Sequence, residues 1–403
     1  MLGASGTLGP LRNRDFRLFF LGYGISLFGA GMAPVGVAFA VLASGGSPAD
    51  LGLVIGGGVA TNVLCLLAGG VVADRFGRRG AMIVSDMVRL MAEGTFAALV
   101  LLGHPPVWAM VLLYAIHNAG YGFFTPAVAG LTPDIVERDR LQQANVLIGF
   151  AKDLGVVAGP AIAGVLIATV GPGMVLAVDA ATYGLSVLAL AMLRIPRYTK
   201  QTASSPLTDM RHGFYAWRAQ SAIWITSVAC ALFNGLVYAP YLVLGPVVSA
   251  AHLGGGDSWG LIVAAQGAGS VLAAPLLLRW SPTRPVVAIL VALAAWALPD
   301  ACLALTAPVP LIAAAAFLGG VSLAIMSVLW TTMLQRKVSN ELIGRVSSVD
   351  AVCSYALAPV GLVAASAVAE TAGTASVLWA AAIWQVVSTV VLVSLPAVRG
   401  ARA

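Results

Sequence analysis

The chain has 403 residues, 60% hydrophobic and 9% charged, with a mean hydropathy of +0.94. A soluble domain carries about 25% charged residues to cover its surface, so this composition excludes a water-soluble globule and calls for a bilayer as the outer solvent. The net charge of +6 does not indicate nucleic acid, because the basic residues fall in short loops and form no aromatic-interleaved stripe.

Runs long enough to cross a membrane lie near residues 16–43, 50–73, 80–102, 107–130, 143–170, 173–193, 221–250, 258–279, 285–305, 309–333, 346–369 and 374–396. Helix is the only form that satisfies the backbone there, since the runs lack the alternation of barrel strands. The first run follows Arg12, Arg14 and Arg17 and is far longer than a signal-peptide core of about 7–15 residues. It is expected to be a retained span.

The loop after the second run reads Gly70-Val-Val-Ala-Asp74-Arg75-Phe-Gly77-Arg78-Arg79. Its glycines permit a tight turn, and its acid and arginines can form a charge-assisted cluster or simply set topology. The third run carries Asp86, Arg89 and Glu93, spaced to share one helix face. Asp86 and Arg89 are expected to be structural, while Glu93 lies deeper. The fourth run offers His117, Asn118 and Tyr121. The fifth carries Lys152, Asp153 and Gly155-x-x-x-Gly159-Pro160-x-x-x-Gly164, in which small residues four apart allow close packing and proline permits a bend. Asp179 of the sixth run and Asp350 of the eleventh lie nearer helix ends.

The one long polar stretch, Arg194 to Gln220, divides the chain. Ser205-Pro206 suits a helix start. Phe214 and Trp217 beside Arg211, His212 and Arg218 suit an interfacial amphipathic helix, with an unstructured linker as the alternative. The expected division is 1–195, a linker 196–219, and 220–403.

Further along, the seventh run carries Asn234, Tyr238 and Tyr241 on one face. The ninth carries a deep Asp300. The tenth carries Ser322, Met326 and Trp330. Cys65, Cys230, Cys302 and Cys353 all fall in apolar runs and read as buried thiols.

All basic residues except Arg89 and Lys152 fall in alternate loops and the tails. By the positive-inside rule both termini face the cytoplasm. The halves also look repeated. Gly52-Leu53-Val54-Ile55 recurs as Gly260-Leu261-Ile262-Val263, and Gly159 falls on Gly361.

The loop between the second and third runs closely resembles the signature loop of the major facilitator superfamily, through Gly70, Asp74, Arg75, Gly77, Arg78 and Arg79. The resemblance implies an all-α fold of twelve transmembrane helices in two pseudo-symmetric six-helix bundles, working by alternating access. It also implies that this loop gates the outward-open state. The corresponding stretch Trp280-Ser-Pro-Thr-Arg284 has lost the acid and both glycines, so only the first copy should gate. Gly155, Gly159, Pro160 and Gly164 resemble the antiporter motif of exporting members, with Ala163 where a second glycine is usual. Leu11-Arg-Asn-Arg-Asp15-Phe16-Arg17, Pro133-Asp134 and Asp179-Ala180 resemble the macrolide-efflux and siderophore-exporter branch.

In that family the first, fourth, seventh and tenth spans line the cavity. His117, Asn118, Tyr121, Asn234, Tyr238, Tyr241, Met326 and Trp330 are therefore the substrate-lining candidates, with helix–helix packing as the alternative use. Acids inside spans are costly and usually functional, so Glu93 and Asp300 are the proton-coupling candidates, with His117 as a rival.

No ATP-binding loop surrounds any of the lysines, Lys152, Lys200 and Lys337. No nucleophile–base pair or metal-ligand spacing is visible. The expectation is a non-enzymatic exporter of a largely apolar organic compound by proton antiport, without cofactor or bound metal. It would act as a monomer in the cell membrane, with the bilayer, a small molecule and protons as partners and no nucleic acid. An importer or facilitator on the same fold, or a non-transporting sensor, is the alternative.

Overall fold

The computed structural model describes residues 9–103, 105–137, 140–194, 214–277, 280, 282–338 and 343–399, with backbone alone at 67–76, 129–130, 221–222, 274–276, 343–345, 348, 397 and 399. Every regular element among them is helical. A short 3-10 turn, Gly9–Arg12, leads into α1 (Arg14–Ala43). There follow α2 (Pro48–Phe76), α3 (Arg78–Leu102), α4 (Val107–Ile135), α5 (Leu141–Val170) and α6 (Pro172–Ala191). In the second half, α7 begins as Ser221–Phe233 and continues through Asn234–Tyr238, Ala239–Val248 and Ser249–Leu253. Then come α8 (Gly256–Leu277), α9 (Pro285–Ala304), α10 (Val309–Lys337), α11 (Ile343–Tyr355 with Ala358–Ala372) and α12 (Thr374–Ser394).

Among the described residues, ten of these helices are long and apolar enough to cross a membrane. The other two, α3 and α8, have 25 and 22 residues, enough to span about 30 Å at about 1.5 Å per residue. Charge keeps α3 off the apolar count. α3 carries Arg78, Arg79, Asp86, Arg89 and Glu93. It buries Asp86, Arg89 and Glu93 and turns Val84, Met87 and Met91 outward. α8 opens on Gly256-Asp257-Ser258 and carries Gln266 and Ser270.

Local chemistry fixes the helix starts. The Asn13 side chain accepts from the amides of Asp15 at 2.8 Å and Phe16 at 3.3 Å, capping α1. Ser47 and Asp50 cap α2 reciprocally, with each side chain accepting the other's amide at 3.2 and 2.8 Å.

The chain forms two compact units, Met1–Gly45 with Gly57–Ala203, and Gly46–Gly56 with Ser204–Ala403. In the first, α1 packs on α5 and α6, and α3 packs on α4 and α6. In the second, α8 packs on α10, α9 on α10 and α12, and α7 on α11. The opening turns of α2 belong to this second unit, where Gly52 and Gly56 lie against Leu362 and Pro359 of α11.

Glycine makes the closest crossings possible. A Cβ on Gly159 of α5 would come within 2.6 Å of the Gly31 backbone of α1, and one on Gly361 of α11 would meet the backbone of Gly235 of α7. A Cβ on Gly122 of α4 would lie 2.9 Å from the Asn62 carbonyl of α2, and one on Gly320 of α10 would meet the Gln266 carbonyl of α8. The two units repeat the same glycine crossings, which gives the sequence repeat a physical content.

The units differ in regularity. Pro34, Pro126, Pro133 and Pro160 are held inside continuous helices of the first unit. In the second, three irregular turns lie shortly before a proline, while the π turn Ser249–Leu253 follows Pro246. The π turn Asn234–Tyr238 precedes Pro240, the 3-10 turn Ala294–Trp296 precedes Pro299, and the break after Tyr355 precedes Pro359. Proline lacks the N–H that the carbonyl four residues earlier needs, and its ring crowds that carbonyl. α7, expected as one uniform helix, is therefore re-phased midway.

Replacing Gly31 by Val places a side chain against the Gly155 backbone carbonyl, which cannot move aside. The expected loss is about 1–3 kcal/mol, read as a lowered thermal midpoint of the purified chain. Gly149→Ala, with nothing within 4 Å of the added methyl, should leave the midpoint unchanged.

Candidate functional site

The first unit encloses a polar core built by three helices. α3 supplies Asp86, Arg89 and Glu93, which share its inward face as the spacing predicts. Arg89 Nη1 lies 3.2 Å from Asp86 Oδ1, and its Nη2 donates to the Tyr183 hydroxyl at 2.7 Å. Its guanidinium lies 3.9 Å from the centre of the Tyr183 ring. Arg89 and Asp86 are only 2% and 0% exposed, so each needs the other: removing one partner would strand a buried charge. The two pair as expected. Glu93, which could also have reached Arg89, turns to α4 instead.

There Glu93 Oε2 lies 3.0 Å from His117 Nδ1. The imidazole stacks on Tyr114, with ring centres 5.8 Å apart, and meets the edge of Tyr183 at 5.6 Å. From α6, Asp179 Oδ2 accepts from the Tyr183 hydroxyl at 3.1 Å. Gly29 of α1 faces Asp179 and Thr182, and any side chain there would occupy the carboxylate's space. Sequence spacing did not reveal Asp179 as a neighbour of Glu93 and His117. Three separate helices bring them together, and only their inward helical faces hint at it.

In the second unit, Asp300 is fully buried, and neither of its oxygens has a hydrogen-bond partner among the described residues. On the same helix, Trp296 stands at the centre of an aromatic cluster, 5.0 Å from Tyr238, 5.1 Å from Tyr241 and 5.7 Å from Phe233. The Tyr241 hydroxyl and the Trp296 indole N–H also lack partners among the described residues. Asp350, by contrast, is satisfied. It accepts from Ser227 at 2.5 Å, Trp330 at 2.8 Å and Ser354 at 3.3 Å. Ser227 in turn accepts from the Trp217 indole at 3.0 Å, which anchors the end of the central linker. The rest of the expected amphipathic helix, 195–213, lies outside the described residues.

The substrate-lining candidates divide. Tyr121 is exposed, and Met326 and Trp330 are partly so. His117 and Tyr241 are enclosed in their own bundles. The re-phasing of α7 separates its polar stripe: Asn234 donates to the Ser354 carbonyl at 3.0 Å, while Tyr238 and Tyr241 join the Trp296 cluster. Asn118 donates to the Tyr114 carbonyl at 2.8 Å, and its own carbonyl accepts from Asn62 of α2.

In the signature loop, Gly77 takes φ +86°, a conformation that favours glycine. Arg78 Nη1 lies 3.0 Å from both oxygens of Asp134, and Arg79 donates to the Leu190 and Ala191 carbonyls at 2.8 and 2.6 Å. That capping of the α6 C-terminus uses the helix's free carbonyls. The side chains of Asp74 and Arg75, and the surroundings of Gly70, lie outside the description. In the span-five motif, Gly155 and Gly159 face the α1 backbone, while Pro160 and Gly164 are buried. A groove of 530 Å³ opens between α3 and α4, lined by apolar side chains such as Val84, Val88 and Phe123.

Comparison with known proteins accords with this architecture. The multidrug efflux pump Tap of Mycolicibacterium fortuitum is 25% identical over 397 residues, covering 92% of this chain and 93% of its own. Macrolide efflux protein A of Streptococcus pyogenes is 22% identical over 312 residues, 75% of this chain and 76% of its own. Among solved structures, the nucleoside transporter NupG superposes with a TM-score of 0.73 at 15% identity, over 94% of this chain and 98% of its own. A bacterial homologue of the human lysosomal transporter Spinster gives 0.70 at 15% identity, over 95% of each chain. At such identities the solved structures speak for the fold alone. A family model described as Major Facilitator Superfamily matches residues 19–362, and this multi-pass membrane protein belongs to that superfamily of transporters.

Proposed function

We propose that the chain exports a medium-sized, largely apolar organic compound from the cell in exchange for protons, by alternating access in the cell membrane with both termini cytoplasmic. The efflux relatives support the direction and the drug-like cargo. Tyr121, Met326 and Trp330 are aromatic and thioether side chains suited to such a cargo.

The observation that carries proton coupling is Asp300. Its carboxyl is wholly enclosed within a span, with neither oxygen bonded among the described residues. An unpaired carboxylate in that setting is too costly to persist, so the acid keeps its proton while enclosed. It can release the proton only when water reaches it. A group that holds a proton in one state and yields it in another is what antiport requires. Glu93, the other carboxyl expected from the sequence, is not alone in the same way, because His117 lies against it.

The test is accumulation of a compound panel, including macrolides, in a susceptible host. The wild-type chain should lower accumulation, and a protonophore should restore it to the empty-vector level. Asp300→Asn, present in the membrane at normal amounts, should lose efflux driven by a pH gradient yet still bind the compound. Undiminished gradient-driven efflux by Asp300→Asn would remove that residue from coupling, and flux indifferent to the protonophore would favour a facilitator.

A further inference from the structure

No metal-ligand spacing is visible in the sequence, and proton-coupled export requires none. The structure nevertheless assembles one. Glu93 of α3, His117 of α4 and Asp179 of α6 each present a ligand atom, and these atoms lie within 4.8 Å of one another in a fully buried setting. One imidazole with two carboxylates is a donor set suited to a first-row divalent cation, and the absence of a thiolate disfavours softer ions.

Three observations point to a ligand. First, Glu93 Oε2 and His117 Nδ1 stand 3.0 Å apart, yet neither atom has an aligned hydrogen-bond partner among the described residues, nor does Glu93 Oε1. Two zinc ligands at about 2.0–2.1 Å from the ion stand about 3.3 Å apart in a tetrahedral site, so this pair is already spaced for it. Asp179 can close the remaining gap with a side-chain adjustment of about 1–1.5 Å.

Second, the charge fits. Asp86 and Arg89 neutralise each other at 3.2 Å. That leaves the carboxyl groups of Glu93 and Asp179 beside the His117 imidazole, a set whose two acidic groups match the charge of one dication. Third, the supporting contacts are in place. Tyr114 and Tyr183 hold the imidazole plane, and the Tyr183 hydroxyl holds Asp179 at 3.1 Å. Outer contacts of this kind orient the ligands of metal sites.

We propose that Glu93, His117 and Asp179 bind one divalent transition-metal ion, with Zn²⁺ the best match, inside the first unit, where it ties α3, α4 and α6 together. The proposal is independent of the direction of transport and of Asp300.

The test uses the full-length chain, purified, stripped with a chelator and dialysed against ZnCl2. One zinc per chain is expected, with a raised thermal midpoint and an X-ray absorption signature of nitrogen and oxygen ligands without sulfur. Glu93→Gln, His117→Gln and Asp179→Asn should each abolish stoichiometric binding. Tyr183→Phe keeps all three ligands and should weaken binding about tenfold or more, so it decides the matter should a ligand variant fail to fold. His252→Ala, which removes an exposed imidazole, should bind as wild type. A wild-type chain that takes up no zinc, or zinc that persists undiminished in His117→Gln and Tyr183→Phe, would overturn the proposal and leave protons as the charges that neutralise the cluster. Efflux by Asp300→Asn is read separately, so either idea can fail without the other.

Discussion

Backbone-to-backbone contact is the constraint on which the rest of this fold depends. Lipid offers no hydrophobic drive between helices, so association rests on close packing. Here that packing occurs where glycine meets backbone: Gly159 on Gly31, Gly361 on Gly235, Gly122 on Asn62 and Gly320 on Gln266. These crossings fix the separation of each helix pair. That separation in turn sets which side chains are enclosed and which face the lipid. The same geometry recurs in both units, so the repeated halves share a packing rule more than a sequence.

Within the first unit the rule creates room for charge. Gly29 leaves space for the Asp179 carboxyl, and Gly120 stands so near the Arg89 side chain that a Cβ would come within 2.6 Å of it. Without those absent side chains, neither the Arg89–Asp86 pair nor the Glu93–His117–Asp179 cluster could be enclosed. A buried ion pair contributes little net stability, and its loss on one side is expensive. The core is thus better understood as an arrangement for placing charge than as a source of stability. The second unit takes another course: its enclosed acid, Asp300, lies on the same helix as Trp296, whose ring packs among aromatic neighbours.

The fold was largely legible because hydrophobic run length and arginine placement answer directly to the bilayer. The charged third span was legible too, since its acids and arginine share one face. Tertiary partners were not. Distance from a helix end says little about Asp179, whose surroundings come from facing Glu93 of α3 and His117 of α4. His117 and Tyr241 turn into their own bundles, and an assignment of whole helices to the cavity does not specify which face of each helix turns inward. Trp330 leaves part of its ring exposed while its indole N–H donates to Asp350 at 2.8 Å. Nothing in the local sequence marks a hydrogen bond twenty residues away.

The π turn at Asn234–Tyr238 has a consequence for the whole of α7. A π turn is, in effect, one residue accommodated without breaking the helix. It rotates everything downstream by about 100° relative to everything upstream. α11 runs alongside α7 on both sides of the turn, and Phe233 before it and Tyr241 after it both reach the ring of Trp296, so the turn sets which downstream side chains join those upstream. A single-residue deletion in that turn would be no small lesion. It would leave the helix intact while turning its faces by about 100° over the following three turns, like a key cut correctly but inserted a quarter-turn out.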